Sequence, residues 1–153
     1  MMPGRSKVTL SSGGRFRREL NPNGALHVSQ LLADTARLSG LDVGGLAFRP
    51  EGCYAILNTP AARDPQGMHT DYMHGLVGHL RDTPLYPRSA IWAACSPFAI
   101  ALPHEASIVV PTGHVIFFMA DFWHGGGPYM SGNPRFHGFQ LPAYVAIPTG
   151  VYN

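Results

Sequence analysis

Glycine and proline interrupt this chain so often that a helix bundle cannot be drawn through it. The 153 residues include 18 Gly and 14 Pro, more than a fifth of the sequence. Gly weakens a helix interior through backbone entropy, and Pro through its missing N–H. No Gly-X-Y period is present, which excludes a collagen-like fibre. Apolar residues make up 45% of the chain, enough to pack a core and to exclude wholesale disorder. The expectation is therefore a turn-rich, mainly β protein of one domain.

Residues 1–24 are polar and basic and read as an arm with a short strand at Val8–Leu10; residues 25–153 read as a single domain. One N-terminal helix is expected over 27–39, where Val28, Leu31, Leu32, Thr35 and Leu38 recur at helical spacing before Gly40. Short apolar runs follow at Cys53–Asn58, Ala90–Cys95, Phe98–Leu102, Ser107–Val110 and Val115–Met119, with further strands at Arg135–Leu141 and Tyr144–Ile147. Such short strands between Pro and Gly turns suggest a sandwich or barrel.

The net charge of +2 is too small to imply a nucleic-acid partner. Arg15, Arg17 and Arg18 are the only support for one, and a solvated arm is the plainer reading of them. Cys53 and Cys95 form no CxxC and read as free thiols. No apolar run reaches membrane-spanning length and no secretory leader is visible, so an intracellular location is expected.

Eight histidines stand beside only nine acids. His69-Thr70-Asp71 places an imidazole and a carboxylate two residues apart, on one face of an extended segment. His124 ends an apolar run and is followed by Gly125-Gly126-Gly127, which removes side-chain bulk beside it. Arg135 comes 11 residues later, on the next strand. An arginine in an apolar setting needs a carboxylate partner, and no acid follows it in sequence, so an external carboxylate fits its planar fork. Two histidines and one carboxylate with open positions form the facial arrangement of non-haem Fe(II) oxygenases.

The order His-x-Asp, His, Arg resembles the Fe(II)/2-oxoglutarate-dependent dioxygenase superfamily. The likeness is strongest to the phytanoyl-CoA-hydroxylase-like branch and to algal and protist proteins related to the TET/JBP base oxygenases. Gln66-Gly67-Met68-His69-Thr70-Asp71-Tyr72 is similar to that superfamily's first motif. Pro111-Thr112-Gly113-His114 through Trp123-His124-Gly125, with Asn133-Pro134-Arg135, is similar to its second. The likeness covers residues 52–142. It implies a double-stranded β-helix of jelly-roll or cupin type. It also implies Fe(II) on His69, Asp71 and His124, and 2-oxoglutarate on Arg135, with O2 as co-substrate and release of succinate and CO2. Tyr54, Asn58 and His137 are further candidates for co-substrate contacts, by strand parity.

Two other readings stand beside this one: a β-helix that has lost turnover and serves binding or assembly, and a metal-dependent cupin enzyme that does not use 2-oxoglutarate. The substrate is not readable. Asp121 reads as a turn residue or an acceptor behind a ligand. His27, His74, His79, His104 and His114 read as surface or cavity residues without chemistry. Packing is the expected role of Tyr72, Phe117, Phe118, Phe122 and Trp123.

Overall fold

A computed structural model describes residues 8–11, 15–60, 62–63, 66–72, 74–128, 130 and 134–148. Helix α1 (Pro22–Leu38) begins earlier than its apolar period suggests. Asn21 caps it by accepting a hydrogen bond from the Gly24 N–H, and Pro22 occupies the first turn, where a missing N–H costs nothing. Ala25, Val28, Leu32 and Ala36 form its buried face, whereas Leu38 is 80% exposed. Gly40, with φ of 72°, ends the run in the left-handed region.

The described strands are β1 (Val8–Ser11), β2 (Arg15–Glu19), β3 (Leu46–Phe48), β4 (Tyr54–Asn58), β5 (Arg88–Trp92), β6 (Phe98–Ala101), β7 (Ser107–Val110), β8 (Val115–Met119), β9 (Gly125–Gly126) and β10 (Arg135–Pro142). The larger sheet runs β1-β2-β4-β10-β5-β8, with β3 also paired to β10; the smaller runs β7-β6-β9. Residues 66–69 extend the smaller sheet. Gln66 N donates to Gly126 O at 2.7 Å, and His69 and His124 exchange both backbone bonds at 2.8 and 3.0 Å.

From β4 onward the chain alternates between the two sheets. It passes through β4 in the larger sheet, 66–69 in the smaller, β5 in the larger and β6 and β7 in the smaller. It then returns through β8, β9 and β10 in the same alternation. That winding of antiparallel pairs is a double-stranded β-helix, the expected jelly-roll architecture.

Several expectations on local structure change. Residues 15–19 lie within the expected arm, yet β2 pairs along its whole length with β4. Tyr144–Ile147 is turn and coil, and β5 starts at Arg88 and ends at Trp92.

The alternation of β10 sets the layers. Arg135, His137 and Phe139 face the space between the sheets and line its cavity. Gly138 faces α1: a Cβ there would come within 2.5 Å of Leu32 Cδ1. Leu32, fully buried, packs with Val28, Phe48, Cys53 and Ala90 on this outer face. Between the sheets, one apolar cluster gathers around Tyr72, Tyr86 and Phe139, and another around Ile91, Phe98 and Ile100.

Candidate metal centre

His69 and His124 lie directly opposite each other across a two-strand bridge. Their rings meet edge to face, with centroids 4.6 Å apart. His69 Nδ1 lies 2.9 Å from Gly67 O, and His124 Nδ1 lies 2.8 Å from Phe122 O. A carbonyl only accepts, so each Nδ1 is the donor and carries the proton. In the neutral ring, Nε2 is then a lone pair, and both Nε2 atoms face Asp71 Oδ1, at 3.9 Å from His69 and 3.6 Å from His124. The three residues offer one ligand atom each, all within 4.8 Å of one another, and all three are buried. Backbone acceptors behind both rings fix the tautomer a metal needs.

The charge states suit the same use. Burial opposes the charge on Asp71, but the neighbouring His137 and His124 imidazoles and the Ser89 hydroxyl outweigh it, and the carboxyl sits at about 2. Burial pushes the His124 imidazole down, against the pull of Asp71, which favours the neutral ring. An anionic carboxylate and imidazole lone pairs converging without a proton between them make a site suited to a divalent cation.

The cavity holding this cluster encloses about 240 Å³, below the ~300–1,000 Å³ of sites for drug-sized ligands. Its walls are mostly apolar, including Ile56, Ile91, Phe98 and Ile100. Arg135 enters from β10, opposite Ile56 of β4, and its Cζ lies 5.0 Å from the centroid of the Phe98 ring. It is 8% exposed, and its Nε has no hydrogen-bond partner among the described residues. Burial and neighbouring Arg15 push its guanidinium down to about 10, so it remains a cation at neutral pH. Asp71 is the only acid lining the cavity among the described residues.

The glycine run has a steric basis. A Cβ on Gly125 would lie 2.5 Å from Gln66 O, and one on Gly127 would lie 2.6 Å from Ala99 O. At Gly126 it would press on Arg135 Nη2 at 3.2 Å and Arg15 Nε at 3.4 Å. The first and third glycines let the smaller sheet close, and the middle one leaves room for two guanidinium groups.

His69, Asp71, His124, Arg135, Tyr54 and His137 thus line one cavity. Asn58 is buried opposite Arg15 but is absent from the cavity lining. Tyr54 and His137 face each other: the Tyr54 hydroxyl lies 2.5 Å from His137 Nδ1, and Arg17 Cζ lies 3.7 Å above the Tyr54 ring. Asp121 sits in a turn and pairs with Arg81, away from the cluster. Phe122 and Trp123, expected to pack, are 40% and 41% exposed beside His124. His27, His79, His104 and His114 are exposed, and the side chain of His74 lies outside the described set.

Three residues of the site escape a reading of the sequence. Arg15 and Arg17 line the cavity from β2, and Arg15 Nη2 donates to Gly127 O at 3.1 Å. Their basic run looks like a solvated face. Ser89 is fully buried and donates to Asp71 Oδ2. Its signal was a lone hydroxyl within an apolar strand, which needs a partner.

Fold and site together define a double-stranded β-helix protein with a candidate metal centre of two histidines and an aspartate. Among solved structures, it is similar to the polyketide cyclase RemF from Streptomyces resistomycificus, with a TM-score of 0.51 and 13% identity over 100% of this chain and 85% of that one. An RmlC-like cupin protein from Desulfovibrio desulfuricans gives a TM-score of 0.41 and 11% identity over 66% of this chain and 76% of that one. A protein with a double-stranded β-helix domain from Klebsiella pneumoniae gives 0.40 and 6% over 97% and 84%. The likeness is one of fold. No protein-family model matches the chain, and no curated protein sequence matches it. No helix among the described residues is long and apolar enough to cross a membrane.

Proposed function

We propose that this protein is an Fe(II)- and 2-oxoglutarate-dependent oxygenase. One observation carries the reading. A buried His69–Asp71–His124 cluster with its lone pairs converging shares a small cavity with a buried guanidinium that lacks a partner at Nε. The cluster suits a divalent metal, and Arg135 suits the distal carboxylate of a keto acid. When bound, Fe(II) with the keto acid and O2 supplies an oxidative decarboxylation that hydroxylates a substrate and releases succinate and CO2.

The chain's own residues do the rest. His69 and His124 present lone pairs held by backbone carbonyls, so little reorganisation is needed on binding. Arg135 sits in an apolar wall, where a charge-assisted, two-pronged pair gains strength from the low local dielectric. Ile91, Phe98 and Ile100 give the cavity apolar walls, which strengthen charge pairing inside it. The cavity's small size favours a short diacid.

Incubation with Fe(II), 2-oxoglutarate and air should yield succinate, and Arg135→Ala should raise the apparent Kd of 2-oxoglutarate at least ~30-fold. That factor is the low end of the ~2–5 kcal/mol lost when a buried charge pair is truncated. A metal-loaded protein that forms no succinate and is indifferent to Arg135→Ala is instead a metal enzyme of another kind. The fold shared with a polyketide cyclase keeps that reading in view. A folded protein that binds no metal is a scaffold.

A further inference from the structure

The two oxygens of Asp71 have separate surroundings. Oδ1 faces the Nε2 atoms of His69 and His124. Oδ2 accepts the Ser89 hydroxyl and lies 3.4 Å from His137 Nε2. The second contact is too long to be a fully formed hydrogen bond, and that nitrogen has no other partner among the described residues. Even so, it brings a buried ring, 3% exposed, against a carboxylate. A lone pair on Nε2 would repel Oδ2, so the proton belongs on that nitrogen. Burial and Asp71 push the Tyr54 phenol above its usual range, so Tyr54 keeps its proton beside Nδ1.

We propose that His137, backed by Tyr54 and acting with Ser89, is a positioning residue that holds Oδ2 so that Asp71 offers a bound metal Oδ1 alone. The inference rests on the metal reading above and deepens it. A carboxylate gripping through both oxygens would take a position that a chelating keto acid needs. A hydroxyl and an N–H on the second oxygen keep that position open. Tyr54 and His137, which strand parity marks as co-substrate contacts, thereby act through the metal ligand instead. The pairing register supports this, because His137 lies directly opposite Tyr54 and the ring centroids are 5.0 Å apart.

Co(II) is the probe, because its visible bands report coordination without turnover. Wild type, His137→Leu, His137→Gln and Ser89→Ala are loaded with Co(II), their spectra recorded, and each titrated with 2-oxoglutarate. His137→Leu should change the band intensity of the Co(II) complex. It should also weaken 2-oxoglutarate at least ~10-fold while moving the Co(II) Kd less than ~3-fold. His137→Gln, which restores an N–H donor, should recover most of both. Ser89→Ala should shift both in the same direction as His137→Leu, which keeps the test readable if the leucine variant folds poorly. Spectra and keto-acid affinities unchanged in His137→Leu and Ser89→Ala would overturn the proposal. So would Co(II) affinity and melting temperature falling in parallel without rescue by glutamine, the mark of a merely structural residue. A wild type that takes up Co(II) but ignores 2-oxoglutarate would overturn the functional reading, and the inference with it.

Discussion

At Asp71, burial and charge are reconciled. A lone carboxylate at 3% exposure is costly, and here a hydroxyl and three imidazoles surround it. A divalent cation would complete that balance, so on the proposed reading its binding should stabilise the fold. At 100-fold excess over its Kd, a metal adds about 2.7 kcal/mol. For a chain of this size, that amounts to a rise of roughly 5–11 °C in Tm. Thermal unfolding with and without Fe(II) or Mn(II) checks this, and Asp71→Ala should abolish the rise. The two cysteines should also separate. Burial, then Glu51, pushes the Cys53 thiol up to about 12, whereas Cys95 is exposed. A thiol reagent at mild pH should modify one cysteine in the native protein and both after denaturation. At this scale, His69, Asp71, His124 and Arg135 were legible because each is a chemically odd residue in its segment. Arg15 and Arg17 were not, because the charge run of Arg15–Arg18 looks the same whether the strand faces water or a cavity.

At the scale of elements, turn chemistry decided what could be read. β7 and β8 match their expected bounds, because Pro111-Thr112-Gly113 separates two runs rich in Val and Ile. β9 is two glycines with no strand propensity, and its place is set by backbone bonds to 66–69 and β6. The start of α1 is hidden in the sequence because Pro22 and Gly24 look like a loop, although Asn21 caps the helix there. The glycines beside His124 should be intolerant in a position-dependent way. Gly127→Ala drives a methyl into the Ala99 backbone, which cannot yield cheaply, and should cost about 1–3 kcal/mol in a denaturant melt. Gly126→Ala meets mainly the ends of flexible side chains, so it should stay folded and weaken anion binding instead. Leu32→Ala should cost about 2–5 kcal/mol by opening a cavity between α1 and the larger sheet, while leaving metal binding in place.

Across the whole molecule, the winding of the chain makes the site. His69 and His124 lie 55 positions apart, yet they are bridge partners because β4 to β10 pass back and forth between two sheets. Spacing alone could not show this. Only the likeness of two short motifs joined the distant residues in advance, and it said nothing of β2 or Ser89. Arg135 lies on the larger sheet and the His69–His124 bridge extends the smaller one, so they meet in the cavity between the sheets. The most direct test is therefore an anaerobic titration of the protein with Fe(II) and then 2-oxoglutarate, recording visible absorption. A weak charge-transfer band should grow in wild type, vanish in His69→Ala and need far more keto acid in Arg135→Ala. An iron-loaded, folded wild type that shows no band at any concentration of 2-oxoglutarate would contradict the proposed chemistry.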